Sequence, residues 1–502
     1  MKRKQYILSF VIILLILIEL IILSYRHNLR LDLTKDKHYT LSKATREIIR
    51  NLDQPVTIIA YFSKDLPSNL LIFRREFLSI LGDYKSYSRG KIVFQIINPN
   101  KNEELENQAV REGISPIIVE VREKDKARQQ KAFMGLVIKY KDKKEVIPYI
   151  DPNTSLEYLL SMNIKKLTVK QKPRIGILQG YGCPVFTQMQ GFINALSVMY
   201  EPVAYNYDTV NYNLVDYKVL VIIAPKDTLP KGLLAYIERY LASGGSLFLA
   251  FNNVEGKLQQ NPPMGNIVYT GLDSWLRNFG LQVYQKFVID AQCGNIQVQQ
   301  ANFPFPISIS FPYFPMITTF AEHPITEGLE AVAMSFVSPM EFQGDTSRIS
   351  FIPLAFTSEY TGLQSLPVVF NVMKEWTQED FNLQHLVVGG ILKSDNWTMV
   401  VFSDGDFMQL PAGERFEKSD NMALAVNSID WLTDEMGLIE LRTKGITYKP
   451  IKQLSDKQKI FVKYIAFSLP IIFVLIIGLL RWRFNSIKQK KLKFISYVEH
   501  KK

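Results

Sequence analysis

The side chains that could do chemistry are few. Asp404 and Asp406 stand two apart at the end of the apolar run Trp397-Thr-Met-Val-Val-Phe-Ser. Alternate residues of an extended segment point to one side, so the two carboxylates could share a divalent cation or a polar ligand. Asp-Gly-Asp is also ordinary turn chemistry. Asn252 and Asn253 close another apolar run and stand at the equivalent edge. His323, in Glu322-His-Pro-Ile-Thr, is the best lone candidate for catalysis or binding. A residue before proline is biased to extended backbone, and no carboxylate or thiol partner is in view, so a structural role outweighs a catalytic one. Cys183 and Cys293 show no CxxC or metal-ligand spacing. A disulfide between them requires a geometry that spacing does not give, and free thiols fit equally well.

The elements that would position these groups centre on residues 172–253. Three short apolar runs, Arg174-Ile-Gly-Ile-Leu, Val219-Leu-Val-Ile-Ile and Ser246-Leu-Phe-Leu-Ala, are separated by helix-patterned segments. Strands covered on both faces lose period-2 alternation, so these runs predict an α/β domain with a parallel sheet and crossover helices. Ligands of such sheets sit at the carboxyl edge, where Asn252 and Asn253 fall. Around 283–385 the pattern breaks into Pro- and Phe-rich stretches such as Phe311-Pro-Tyr-Phe-Pro, which read as an insertion of irregular or short-strand structure. The aromatic part of it, near 302–315, is a candidate contact surface. Upstream, after a helix with Ser42 as its N-cap, roughly residues 50–150 read β-α-β-α-β-β, thioredoxin-like in outline. That region has no cysteine, which removes redox chemistry from it.

Composition places the chain at a membrane. Residues 6–23 and 464–480 are apolar runs close to the roughly 20 residues needed to cross a bilayer. The net charge of +11 sits almost wholly outside them. Lys2, Arg3 and Lys4 precede the first run; Arg481, Arg483, Lys488, Lys490, Lys491, Lys493, Lys501 and Lys502 follow the second. A nearly neutral middle has no footprint for a nucleic-acid backbone, whereas basic ends obey the positive-inside rule. The expectation is two membrane spans, both termini cytoplasmic and the large domain outside. Glu19 lies within the first run; it either reaches the interface or contacts another membrane protein. Ser24-Tyr25-Arg26-His27-Asn28, after the first run, offers no small-x-small cleavage site, which argues for an uncleaved anchor.

Several stretches together resemble one family. Leu31-Asp-Leu-Thr-Lys-Asp-Lys-His-Tyr-Thr-Leu-Ser, Leu52-Asp-x-Pro-Val-Thr, Ile96-Ile-Asn-Pro, His323-Pro-Ile-Thr, Phe402-Ser-Asp-Gly-Asp and Asn427-x-x-x-Trp431-Leu are similar, in order, to GldG-type proteins. These are auxiliary components of gliding-motility-associated ABC transporters. The resemblance implies a thioredoxin-like module at 40–152 and a domain at 172–445 resembling class I glutamine amidotransferases, non-catalytic, with its insertion near 283–385. Flanking these are an anchor at 1–25, a second membrane helix at 460–481 and a basic tail at 482–502. It also implies the permease and cytoplasmic ATPase subunits of an ABC transporter as partners.

Amidotransferase-type hydrolysis needs a cysteine on a strand-to-helix elbow, a histidine base and an orienting acid. The elbow after Ser246-Leu-Phe-Leu offers Ala250, Phe251, Asn252 and Asn253, and Cys183 follows a different strand. No Walker motif is present. The expectation is therefore a protein that is not an enzyme, with no cofactor and no metal. Its ectodomain would bind a substrate or an envelope partner, with an envelope scaffold or sensor as the alternative and a degenerate hydrolase behind both.

Overall fold

The computed structural model describes residues 40–123, 126–152, 154–169, 171–208, 213–299, 305–408, 420–434 and 437–442, together with Glu19 and parts of 463–487. Both expected membrane runs lie largely outside the described residues. Among those described, no helix is long and apolar enough to cross a membrane. Residues 447–502 form a unit of their own, in which 475–479 and 481–487 are helical and Leu475, Ile476, Ile477, Leu479, Trp482 and Phe484 are exposed.

In the N-terminal body, helix α1 (Lys43–Arg50) starts where the hydroxyl of Ser42 accepts the Thr45 amide proton. Strand β1 (Val56–Phe62), helix α2 (Ser68–Tyr87), strand β2 (Ile92–Ile97) and helix α3 (Glu103–Arg111) follow. The next strands are β3 (Pro116–Glu123), β4 (Lys126–Tyr140) and β5 (Lys143–Ile147), and helix α4 (Leu156–Thr168) closes the body. β1 and β2 are parallel. β4 begins earlier than its apolar pattern indicates, because its first half, rich in Lys, Arg and Gln, is a hairpin partner of β3. Its second half runs antiparallel between β1 and β5. Phe62 stacks on Phe77 at 4.8 Å between ring centroids, joining α2 to the sheet. A buried polar knot ties three helices: Glu157 accepts the Ser42 amide, and the Tyr84 hydroxyl meets the Ser161 hydroxyl and the Glu157 carbonyl.

The larger body begins with β6 (Arg174–Leu178), α5 (Gln190–Ser197), β7 (Glu201–Tyr205), β8 (Val219–Ile223), α6 (Lys231–Ala242) and β9 (Ser246–Ala250). Then come β10 (Val254–Lys257), β11 (Met264–Ile267), α7 (Leu272–Arg277), β12 (Leu281–Val283), β13 (Lys286–Asp290), β14 (Cys293–Val298) and β15 (Ile307–Ile317). Short strands follow: β16 (Thr319–Phe320), β17 (Val332–Ala333), β18 (Met340–Phe342), β19 (Ser350–Phe356), β20 (Thr361–Ser365) and β21 (Val368–Val369). β22 (Val387–Lys393), β23 (Thr398–Phe402) and α8 (Asp420–Thr433) complete it.

The main sheet has eight strands in the order β16-β19-β22-β23-β9-β8-β6-β7. All five residues of β8 are buried, as the apolar run predicts. Val219, Val221 and Ile223 face the side covered by α5 and α8, and Leu220 and Ile222 face α6 and α7. The expectation of a parallel sheet is corrected to a mixed one. Strands β7, β6, β8, β9 and β23 are parallel, but β22 and β19 are antiparallel to their neighbours. A tight connection in which the Ser394 amide donates to the Trp397 carbonyl reverses the chain between β22 and β23, and so short a link cannot make a parallel crossover. The 283–385 stretch is also more integral than an insertion: it supplies β16 and β19 to the main sheet. Its aromatic residues build a satellite core around Phe287, Phe311, Tyr313 and Phe370.

After α8 the chain returns to the N-terminal body. Leu438 and Leu441 are buried in the same core as Leu160 and Ile164 of α4. The Asp434 carboxylate accepts the Ile439 amide at 2.6 Å and fixes the turn that carries them.

Candidate functional site

Four loops meet at the carboxyl edge of the parallel strands. Asn252 leaves β9 and reaches the Asp404-Gly405-Asp406 turn after β23. Its side-chain oxygen accepts the Gly405 amide, and its nitrogen donates to the Asp406 carboxylate. Asp404 is 0% exposed. Its two oxygens accept the amides of Ser335 and Asp406, each at 2.7 Å. Burial pushes the Asp404 carboxyl above the usual carboxylate range, and the neighbouring Asp406 adds to that, against the lowering effect of the backbone donors.

The chain itself fills this edge. A side chain at Gly405 would meet Ala224 of the loop after β8 at 2.6 Å, and Ala224 has a left-handed φ of 42°. Gly182, after β6, has a φ of 73°, and a Cβ there would meet Lys226 at 2.7 Å. The Tyr181 carbonyl accepts the amides of Lys226 and Asp227. The loops are thus hydrogen-bonded to each other where a ligand would sit. Each Asp404 oxygen thus holds one backbone amide, the arrangement of a turn.

Sequence reading put Asn252, Asn253, Asp404 and Asp406 at strand ends, and the structure brings Asn252 onto the Asp404-Gly405-Asp406 turn. Asn253 points elsewhere: its side chain donates to the Val283 carbonyl at 3.3 Å, and its carbonyl accepts the Val268 amide. His323 is separate as well. Its Nδ1 accepts the Ile325 amide at 3.2 Å, and its ring lies edge-on to Trp431 with centroids 5.1 Å apart. Burial lowers its pKa to about 4, so the imidazole is neutral near pH 7. Glu19 is helical and exposed, and the run around it lies outside the described residues. Among the described residues no group of three metal-ligating side chains forms.

The thiols are free of each other. Cys183 is buried and its thiol pushed up to about 12 by desolvation; Cys293 is half-buried and also raised. Neither has the lowered pKa of a nucleophile. The elbow positions Ala250, Phe251, Asn252 and Asn253 are all buried. Sequence reading missed Asp290. It is fully buried at the end of β13 and accepts from the Gln292 amide, the Ser358 amide and hydroxyl, and the Thr361 hydroxyl. Nothing in Val-Ile-Asp-Ala-Gln distinguishes it from an ordinary turn aspartate.

These features define a two-part α/β protein whose larger part carries a mixed sheet with a self-occupied carboxyl edge. Residues 172–436, just over half of the chain, match the family described as ABC-type uncharacterized transport system, and the chain belongs to that family. It is an accessory component of an ABC-type system, which has permease and ATPase subunits in general. Residues 35–139 match a domain of unknown function. An uncharacterized protein of Borreliella burgdorferi is 21% identical over 359 residues, covering 68% of each chain. Among solved structures, PurLQS of Thermotoga maritima matches at 10% identity and a TM-score of 0.27, covering 52% of this chain and 100% of that one. A GMP synthase component of Thermoplasma acidophilum matches at 10% identity and a TM-score of 0.28, covering 53% and 96%.

Proposed function

We propose that this chain is a non-catalytic, membrane-tethered part of its ABC system, holding a periplasmic body that binds a substrate or envelope partner. The N-terminal module is read as thioredoxin-like and the larger body as amidotransferase-like, both used as scaffolds. The observation that carries the non-catalytic part is the closed carboxyl edge. Asn252, Gly405 and Asp406 bond one another where an enzyme of this architecture would present a nucleophile, and Gly405 abuts Ala224. Support for the tethers comes from where the chain enters and leaves. The described chain enters the N-terminal body at Thr40, beside α1, and the Leu438–Leu441 turn beside α4 is its exit. The first and last described residues of the two bodies thus lie in one of them, an arrangement compatible with two anchors in one membrane. The exposed apolar helical residues at 475–487 need a non-aqueous neighbour.

The gliding-related role implied by the GldG resemblance is the finer form of this proposal. Tagged full-length chain, extracted in detergent, should bring down a permease and an ATPase. Protease added to spheroplasts should cut the body and spare the ends. Recovery of the chain without either protein, or a body that resists external protease, would overturn the reading.

A further inference from the structure

Helix α1 buries Ala44, Thr45, Ile48 and Ile49 and turns Lys43, Arg46, Glu47 and Arg50 outward. The last turn of α2 and the turn into β2 add Lys85, Arg89 and Lys91 beside it. Contacts join these groups into one surface. The Arg46 guanidinium lies over the Tyr87 ring, 5.8 Å from its centroid, and its Nε donates to the Ser42 carbonyl. The Lys91 ammonium donates to the Leu52 carbonyl, and the Lys85 ammonium lies 5.9 Å from the centroid of Phe94. These three cations are held by neutral rings and carbonyls, so their charge is not cancelled where they sit. Residues 43–53 and 83–91 together set six cations against Glu47, Asp53 and Asp83, a net charge of +3, whereas residues 5–480 as a whole carry +1.

The surface stands where the chain enters and leaves. Leu41 and Ala44 share one core with Leu438 and Leu441 of the exit turn. Sixteen residues separate Thr40 from the apolar run that ends at Leu23, a length that reaches at most about 60 Å when extended. If the apolar runs are anchors, this stretch confines the patch to the neighbourhood of a bilayer, and touching it becomes an intramolecular event.

We propose that this basic surface rests on the anionic lipid headgroups of the membrane that holds the chain, with α1 turned toward the bilayer. This rests on the tethered reading above and adds to it an orientation, which anchors alone do not fix. Each Lys or Arg near an anionic surface contributes a modest attraction that fades within a Debye length. Three net charges would recruit a free protein poorly; on a tether they need only turn a body that is already there. Arg46, Arg50 and Arg89 offer phosphate the paired donors of a guanidinium fork, and Tyr87 beside Arg46 has the amphipathic ring that suits the interface.

The test uses full-length chain with Cys293→Ser and a fluorophore on Ser86→Cys, an exposed position between Lys85 and Arg89. The chain is placed in nanodiscs with a quencher on the headgroups. Quenching should be at least about threefold stronger with phosphatidylglycerol present than in phosphatidylcholine alone. The difference should vanish in about 1 M salt, where the Debye length is about 3 Å. The triple variant Lys43→Gln, Arg50→Gln, Arg89→Asn should abolish it with an unchanged melting temperature. All three positions are exposed, and Asn suits the left-handed φ of 54° at position 89. A chain that does not enter nanodiscs overturns the tethers and the headgroup contact together. Insertion with equal quenching in both lipids, or a difference that survives salt or the triple variant, overturns the headgroup contact alone.

Discussion

Two of the titratable groups that the sequence singles out, His323 and Asp404, respond to pH in opposite directions. His323 has a depressed pKa, about 4, through burial. Its contribution to stability is complete above the unfolded value near 6.5 and is lost as pH falls through about 4. Asn at this position can still accept the Ile325 amide, so His323→Asn should fold and show a flatter stability profile between pH 6.5 and 4, read by thermal unfolding. Asp404 has a raised pKa, so the fold retains its proton where the unfolded chain has released it. The associated stability is present below the unfolded carboxylate value and is lost as pH rises through the folded one. Asp406→Asn removes the charge that adds to this shift and keeps an acceptor for Asn252. The variant should lose less stability between pH 4 and 8 than the parent; an identical slope would show that Asp406 does not act on Asp404.

At the scale of elements, two stretches noted separately in the sequence form one unit. Helix α8 holds the His323-Pro-Ile-Thr turn through Trp431 and through Asn427, whose side chain donates to the Ile325 carbonyl at 2.9 Å. Asp420 and Asn421, at the start of the same helix, accept the amides of Glu330, Ala331 and Ala333. The helix is thus a clamp along the segment that precedes β17, and His323 is part of its fastening. Removing one partner of a buried hydrogen bond costs about 1–3 kcal/mol. Asn427→Ala should lower the larger body's stability by about that much in urea unfolding. A cost no greater than that of an exposed Asn→Ala change would show that α8 does not clamp this segment.

At the scale of the molecule, the Leu438–Leu441 turn makes the N-terminal body depend on residues far downstream. Leu438 is 0% exposed. Truncating a buried leucine costs about 2–5 kcal/mol, and here the loss should fall on the N-terminal body. Leu438→Ala should make residues 40–168 the first to yield to limited proteolysis. If 172–434 yields first instead, the turn is not a structural part of the N-terminal body.

The sequence by itself determined the α/β class, the strands β6, β8 and β9, the N-cap at Ser42 and the position of Asn252, Asp404 and Asp406 at strand ends. Each follows from local apolar patterning or from position at the end of a strand, and these short-range signals survive folding. The direction of β22, the membership of β19 in the main sheet, the closure of the carboxyl edge, the burial of Asp290 and the return of Leu438 to the first body were decided only by the tertiary structure. All of them join residues remote in sequence, and no local pattern states which distant partner a buried strand, carboxylate or leucine will find.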